Sequence, residues 1–207
     1  MRIVIGCLAA LLYFSGMPAA LAAHTPPSNL VRVCKSDQEA RKANCAAFLR
    51  GAVERLEIGA KTGATHCRTT PFGSEDVSRF LTFTESHMVP DDGEAFVLAV
   101  NFWANDTSEI PCDSVAGYWT AGYLAQSCAA DDSDTSACKF YIEALVGVTQ
   151  IEAILRKEQY FCPKGDAIRR DDEVRNIFRS WIAADPRRAQ ERAALAFIDA
   201  LKAAYPC

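Results

Sequence analysis

The cysteines of this 207-residue chain constrain its fold more than any other feature of the sequence. Apart from Cys7, there are eight of them, and they form two sets of four with nearly equal spacing. Corresponding members of the sets lie 94, 93, 95 and 95 residues apart, which indicates an internal duplication. The first set is Cys34, Cys45, Cys67 and Cys112, and the second is Cys128, Cys138, Cys162 and Cys207.

The N-terminus predicts that the chain is exported. Arg2 precedes an apolar run from residue 3 to 14, and Ala20-Leu21-Ala22 is a typical cleavage site, so residues 1–23 are interpreted as a signal peptide. Cys7 follows too short an apolar segment for a lipoprotein signal and is expected to be removed with the leader. We therefore expect a periplasmic or secreted protein without membrane attachment, in a compartment where an even set of cysteines forms disulfides.

The composition and charge of the chain exclude several classes of function. Hydrophobic residues make up 50% and charged residues 23%, as in an ordinary globular protein. The net charge of −4 gives no excess of positive charge for nucleic acid. Zinc is not expected, because no cysteines lie at C-x2-C spacing and His24, His66 and His87 are scattered. We expect no cofactor.

Residues 113–207 are typical of an all-α unit. Apolar residues recur at helical spacing, acidic or proline residues stand at helix starts, and no segment alternates as a strand would. Trp103, Trp119 and Trp181 are expected in the core. Four helices are predicted: from Asp113-Ser114 to Cys128, from Ser136 to about Tyr160, from Asp171 through Ile182, and from Asp185-Pro186 to just before Pro206.

Residues 28–112 repeat this pattern with a shortened first helix. The chain is therefore predicted to be all-α, with two tandem disulfide-linked four-helix units at residues 28–112 and 113–207. The helices of the first unit are predicted at Ser28–Cys34, Gln38–Lys61, Glu75–Ser86 and Pro90–Ala104.

The order of the helices favours one disulfide pairing among the three that each set allows. In an up-and-down arrangement the first two cysteines of a set meet at one end, and the last two meet at the opposite end. The predicted pairs are Cys34–Cys45, Cys67–Cys112, Cys128–Cys138 and Cys162–Cys207.

The second unit also carries a recognisable motif. Cys138 is followed by Tyr141-Ile142 and Gly147, then by Phe161-Cys162-Pro163 and a terminal Tyr205-Pro206-Cys207. In this pattern the unit resembles the Rap/Tai immunity proteins, which bacteria use against amidase effectors of type VI secretion. The first unit matches at Cys45, Phe48, Leu49 and Gly51, and it departs at His66-Cys67-Arg68 and Ile110-Pro111-Cys112.

The resemblance implies a function without catalysis. Members of that family bind a secreted peptidoglycan amidase in the periplasm and occlude its active site. They are typically single-domain proteins that dimerise, so two tandem units could imitate such a dimer within one chain, and further homo-oligomers are possible. The expected partner is a protein, namely a cell-wall amidase.

The candidates for a catalytic site are few. His66 lies beside Cys67, but that thiol is expected to be in a disulfide, and His87 is interpreted as a solvated residue at a helix end. Paired carboxylates such as Asp91-Asp92 and Asp171-Asp172 stand at helix starts, where capping explains them. We expect no enzyme activity.

The strongest candidate for partner binding is the acidic loop between Cys128 and Cys138, which contains Asp131, Asp132 and Asp134. A loop closed by a disulfide loses less entropy on binding, which suits insertion into a cleft. A plain solvated connection between helices is the alternative interpretation.

Two other functions remain open from the sequence. The first is a periplasmic binding or chaperone-like module for another partner, since fold alone does not fix function. The second is an enzyme that uses His66 or His87.

Overall fold

The structure is a computed structural model that covers most of both predicted units. In this part the protein is all-α, as predicted, with one isolated β-bridge between Thr120 and Arg192. The leader, His66, Cys67, Cys112 and the acidic loop lie outside the described residues. The described ranges are 30–60, 72–90, 93–107, 118–130, 137–156, 159–163 and 171–207.

Each predicted unit contributes four α-helices to the described part of the chain. Most helix ends fall within two or three residues of the predicted positions. The helices are α1 (Leu30–Cys34), α2 (Glu39–Ala60), α3 (Ser74–Ser86), α4 (Gly93–Thr107), α5 (Ala121–Ala130), α6 (Ala137–Arg156), α7 (Asp171–Ala184) and α8 (Ala193–Ala204), and a short 3-10 helix at Pro186–Gln190 precedes α8.

The prediction that the helix leading to Cys128 includes residues 118–120 is wrong. Residues 118–120 are not helical, and α5 begins only at Ala121. The cause is pairing with a distant segment: the Ala193 amide donates to the Trp119 carbonyl at 2.8 Å, and the Ala121 amide donates to the Glu191 carbonyl at 2.8 Å. Thr120 then caps α5, because its hydroxyl accepts a hydrogen bond from the Tyr123 amide.

The prediction of one continuous helix from Asp185-Pro186 to just before Pro206 is also wrong, because this segment forms two helices. The Asp185-Pro186 signal starts the 3-10 helix instead, with the Asp185 carboxylate accepting from the Arg187 amide at 3.1 Å. Hydrogen bonds from the Arg187 side chain lower the pKa of Asp185 to about 2. The chain leaves the helical conformation near Arg192, where it pairs with residues 119–121, and α8 follows.

The two longest helices form the centre of the molecule. α2, from the first predicted unit, packs most extensively against α6, from the second. Gly51 permits this approach, since a Cβ there would lie 2.6 Å from the Tyr141 carbonyl oxygen. Buried residues of both units form one continuous cluster. The predicted boundary at residues 112–113 lies outside the described residues, so the division into two units stays a prediction.

Three disulfides link the described helices. They are Cys34–Cys45, Cys128–Cys138 and Cys162–Cys207, with Cα atoms 4.9 to 5.1 Å apart. These are three of the four pairs favoured by the helix order; the fourth, Cys67–Cys112, falls outside the described residues. Every described cysteine is thus oxidised, and each short loop closure contributes about 3 kcal/mol to stability in the chain-entropy model.

Candidate partner-binding site

The acidic loop with Asp131, Asp132 and Asp134 lies outside the described residues, but both of its ends are described. α5 ends at Ala130 and α6 begins at Ala137. The disulfide between Cys128 and Cys138 joins the two helices here, and each of these cysteines is 1% exposed. The loop therefore starts and ends on two helices that are cross-linked within the core.

α5 packs against the core and against the 3-10 helix. Leu124 is fully buried, and a Cβ on Gly122 would lie 3.1 Å from both the Cβ and the carbonyl oxygen of Ala189 in the 3-10 helix. Half of the Tyr123 surface is exposed, and its ring packs edge-on against Trp119. Exposed aromatic side chains fixed in this way are common anchors of protein interfaces.

The residues before α5 join a cluster of polar side chains that connects the two predicted units. α2 supplies three of its members, α6 supplies one, and the rest come from the residues that precede α5 and α8. We call this group the interface cluster: Arg50, Glu54, Glu57, Tyr118, Trp119, Tyr141 and Arg192.

One half of the interface cluster is centred on the Glu57 carboxylate. The Tyr118 hydroxyl donates to this carboxylate at 2.5 Å, and the Arg192 guanidinium donates to the same oxygen at 3.0 Å. The Arg192 guanidinium also lies 3.3 Å from the centre of the Tyr118 ring. Burial raises the pKa of Tyr118, and the hydrogen bond to Glu57 raises it further. Glu57 thus has a direct cationic partner.

The other half is centred on Glu54, which is 3% exposed. The Tyr141 hydroxyl donates to this carboxyl group at 2.5 Å, and the Trp119 amide donates to its other oxygen at 3.4 Å. Burial raises the pKa of Glu54 to about 7, although Tyr141 and Arg50 both act in the opposite direction. The pKa of Tyr141 is raised in turn, by burial and then by the neighbouring Glu54 charge.

Arg50 compensates the Glu54 charge only in part. Its nearest guanidinium nitrogen lies 3.7 Å from the Glu54 carboxyl group, while another donates to the Phe72 carbonyl oxygen at 2.8 Å. The guanidinium carbon is 5.5 Å from the ring centres of both Phe72 and Trp119. Arg50 is therefore shared among several groups, in contrast to the pair formed by Glu57 and Arg192.

A second buried ion pair joins α2 to α6 nearby. Arg55 is 1% exposed, lies 2.8 Å from the Glu152 carboxylate and donates to the Thr149 hydroxyl at 2.6 Å. Its guanidinium also lies 4.7 Å from the centre of the Tyr160 ring. Buried charges on α2 thus meet polar side chains of the second predicted unit at two places.

Sequence reasoning did not identify the interface cluster. The available signal was the spacing of Arg50, Glu54 and Glu57 at i, i+4 and i+7 on the long second helix, whose other positions are mostly apolar. The residues that bind these carboxylates, Tyr118, Tyr141 and Arg192, lie far away in the chain, so local patterns could not identify them.

The described part of the chain does not bring together a metal site. It holds no group of three or more His, Cys, Asp or Glu side chains that could bind a metal ion. His87 lies exposed at the end of α3, where its ring stacks on Phe83 and its Nδ1 is 2.9 Å from the Phe83 carbonyl oxygen. Asp172 is in the first turn of α7 and pairs with Arg175.

One open groove lies between α7 and α8. It has a volume of about 870 Å³, and its lining includes the apolar residues Ile177, Trp181 and Ala200. Asp172 and Glu173 also line it. Arg188 stacks on the Trp181 ring at 3.6 Å and donates to the Trp181 carbonyl oxygen. Among the helices described, none has the length and apolarity needed to span a bilayer.

Comparison with known proteins gives one family match. Residues 120–207 match the family model of the Rap1a immunity proteins. The matched segment begins at Thr120, which caps α5, and runs to Cys207, so it covers the second predicted unit almost completely and none of the first. No curated protein and no solved structure matches the chain.

Proposed function

We propose that this protein, whose second half matches the Rap1a immunity proteins, is an exported binding protein that neutralises a secreted effector by occluding its active site. The proposed effector is a peptidoglycan amidase delivered by type VI secretion. The observation that carries the proposal is the family match over residues 120–207, a segment that includes both ends of the disulfide-closed acidic loop.

The disulfides support a location outside the cytoplasm. All six described cysteines are paired, and disulfides persist in the periplasm and in secreted proteins. Together with the signal peptide interpreted at residues 1–23, they favour the periplasm, where the peptidoglycan substrate of an amidase lies.

The acidic loop is the proposed contact with the active site of the effector. Its ends are fixed by Cys128 and Cys138 on two packed helices, so less conformational entropy is lost when the loop enters a cleft. Tyr123, on the same helix as Cys128, offers an exposed aromatic ring that extends the contact surface.

The proposal is tested with the oxidised protein and with purified amidases encoded next to its gene. Binding is measured by calorimetry and inhibition by release of peptides from peptidoglycan. We expect nanomolar affinity and full inhibition at an equimolar ratio for one cognate amidase, an affinity usual for specific pre-organised complexes.

A pair of charge-matched variants tests the acidic loop. Changing Asp131, Asp132 and Asp134 to Asn should weaken binding tenfold or more. The control carries Asp37→Asn, Glu75→Gln and Glu85→Gln, which remove the same charge from exposed positions of the first predicted unit and should leave binding unchanged. Equal losses in both variants would exclude the loop as the contact.

The same experiment separates the alternative function. If every candidate amidase stays active and unbound, the immunity function is wrong. Suppression of the aggregation of several unrelated exported proteins would then identify a chaperone-like module, which would show no preference for one partner.

A further inference from the structure

The two buried carboxylates of α2 differ in the partners that surround them. Glu57 is bound directly by the Arg192 guanidinium at 3.0 Å. Glu54 has its closest cation at 3.7 Å, and that cation, Arg50, spends another donor on the Phe72 carbonyl group. A buried carboxylate without a close cation is costly in its ionised form, because desolvation is not offset by an ion pair.

Charged or titratable groups from several elements surround Glu54. Its own helix contributes Arg50, and α6 contributes the Tyr141 hydroxyl. The segment before α5 contributes the Trp119 amide, while its Tyr118 hydroxyl binds Glu57 instead. The residue before α8 contributes Arg192, whose charge also favours ionisation of Glu54.

The protonation state of Glu54 alters the contact between α2 and the segment before α5. With a proton bound, the carboxyl group is neutral in a nearly solvent-free position: one oxygen accepts from the Trp119 amide, and the other stays hydrogen-bonded to the Tyr141 hydroxyl. Once ionised, it keeps these hydrogen bonds, but its charge is desolvated and the closest cation lies 3.7 Å away. Movement of Arg50 or entry of water is then favoured, and either change alters the packing of the Trp119 ring on Tyr141 and Arg50.

This contact is continuous with the proposed binding loop. Trp119 binds Glu54 through its amide, the next residue caps α5, and α5 carries Tyr123 and Cys128. Trp119 is therefore connected through one short helix to the disulfide that closes the acidic loop.

We propose that the interface cluster is a pH-sensitive contact, in which loss of the Glu54 proton loosens the packing of residues 118–120 on α2 and thereby changes the placement of α5. The pH dependence of the contact is independent of any partner. Its effect on affinity for the effector rests on the proposed function.

The direction of the effect follows from the pKa of Glu54, which is about 7 in the folded protein against an ordinary value of 4.5. Between these values the folded state holds a proton that the unfolded state has lost. The stabilisation from this proton is complete below about pH 4.5 and is lost as the pH rises through about 7. The unfolding equilibrium constant should rise roughly a hundredfold across this window because of Glu54.

The contact is tested first in the unaltered, oxidised protein. Carbon-13 NMR of labelled glutamate carboxyl groups should show one resonance that titrates near pH 7. The protection factor of the Trp119 amide, which corrects for the base-catalysed intrinsic exchange rate, should fall as this resonance titrates. If all glutamate carboxyl groups titrate below pH 5.5, or if the protection factor of Trp119 does not follow the titration, the proposal is wrong.

Three variants then assign the effect to Glu54. Glu54→Gln keeps the side-chain shape without the charge and should remove both the titration near pH 7 and its share of the pH dependence of unfolding. Tyr141→Phe removes a hydrogen bond that favours the ionised form and should move the titration midpoint upward. Glu57→Gln is the control, which should reduce stability but leave the titration near pH 7 in place. Persistence of that titration in Glu54→Gln would overturn the assignment.

The affinity for a cognate amidase, measured at pH 5.5 and pH 8, tests the transmission to the loop. Between pH 8 and pH 5.5 the unaltered protein should gain more affinity than Glu54→Gln gains over the same change in pH. An equal change in both proteins would refute the transmission. Absence of any binding would instead count against the proposed function, while the NMR result would still decide the pH-sensitive contact.

Discussion

The two central helices occupy equivalent places in the predicted duplication but differ in the residues that they bring to their contact. Aligned on Cys45 and Cys138, the α2 residues Arg50, Glu54 and Glu57 correspond to Glu143, Gly147 and Gln150 of α6. α2 therefore presents a row of charges, whereas the equivalent row on α6 contains a single charge.

This difference indicates a division of roles between the two halves. The first half supplies buried charges on one helix, and the second half supplies the tyrosines, Trp119 and Arg192 that bind them. The second half is also the part that matches the Rap1a immunity proteins. We infer that the first half serves mainly to hold the second half in place, a hypothesis that the following predictions test.

The largest effect is expected at Arg55. Arg55→Ala removes the guanidinium that pairs with the buried Glu152 carboxylate and should reduce the free energy of unfolding by about 3–5 kcal/mol. Lys139→Ala on α6 is the comparison, since that side chain is partly exposed and lies 4.0 Å from Glu143; it should cost about 1 kcal/mol or less. Urea denaturation of both variants gives the difference, and similar losses would remove the asymmetry between α2 and α6.

The next effect concerns the disulfide that closes the acidic loop. Replacing both Cys128 and Cys138 by Ser should lower the free energy of unfolding by about 2–4 kcal/mol. Replacing Cys34 and Cys45 by Ser opens a loop of nearly the same length in the first half and should cost a similar amount. Only the first pair of changes should weaken binding to the effector, and an equal loss of affinity in both would contradict the roles assigned to the halves.

A smaller effect is expected where α2 and α6 approach most closely. In Gly51→Ala the added Cβ meets the Tyr141 carbonyl oxygen at 2.6 Å, so the helices must move apart at a cost of about 1–3 kcal/mol. The better helix propensity of alanine offsets about 1 kcal/mol of this cost. Thermal unfolding of Gly51→Ala therefore tests how closely the halves pack.

Two other glycines calibrate that measurement. Gly122→Ala places its Cβ 3.1 Å from Ala189 and should destabilise less than Gly51→Ala, whereas Gly73→Ala meets nothing within 4 Å and should change the free energy of unfolding by about 0.5 kcal/mol or less. A Gly51→Ala protein as stable as Gly73→Ala would show that α2 and α6 separate without cost.

The helices and the described disulfides could be predicted because their signals are local or follow from helix order. The apolar stripe of α7 and the spacing of Cys128 and Cys138 are examples. The extended conformation of residues 118–120 and the break before α8 could not be predicted from local patterns. Both follow from the pairing of residues 119–121 with residues 191–193, which lie more than 60 residues further along the chain. The interface cluster escaped prediction for the same reason: Glu54 and Tyr141 are 87 residues apart.

The central claim, that this chain protects a cell by binding a secreted effector, is tested most directly by survival. Bacteria that export the cognate amidase to their own periplasm lyse, and they should survive when they also produce this protein with its leader. The same protein without residues 1–23 should not protect them, because it would remain apart from the amidase and without its disulfides. Lysis at an undiminished rate, with folded and oxidised protein present in the periplasm, would contradict the account.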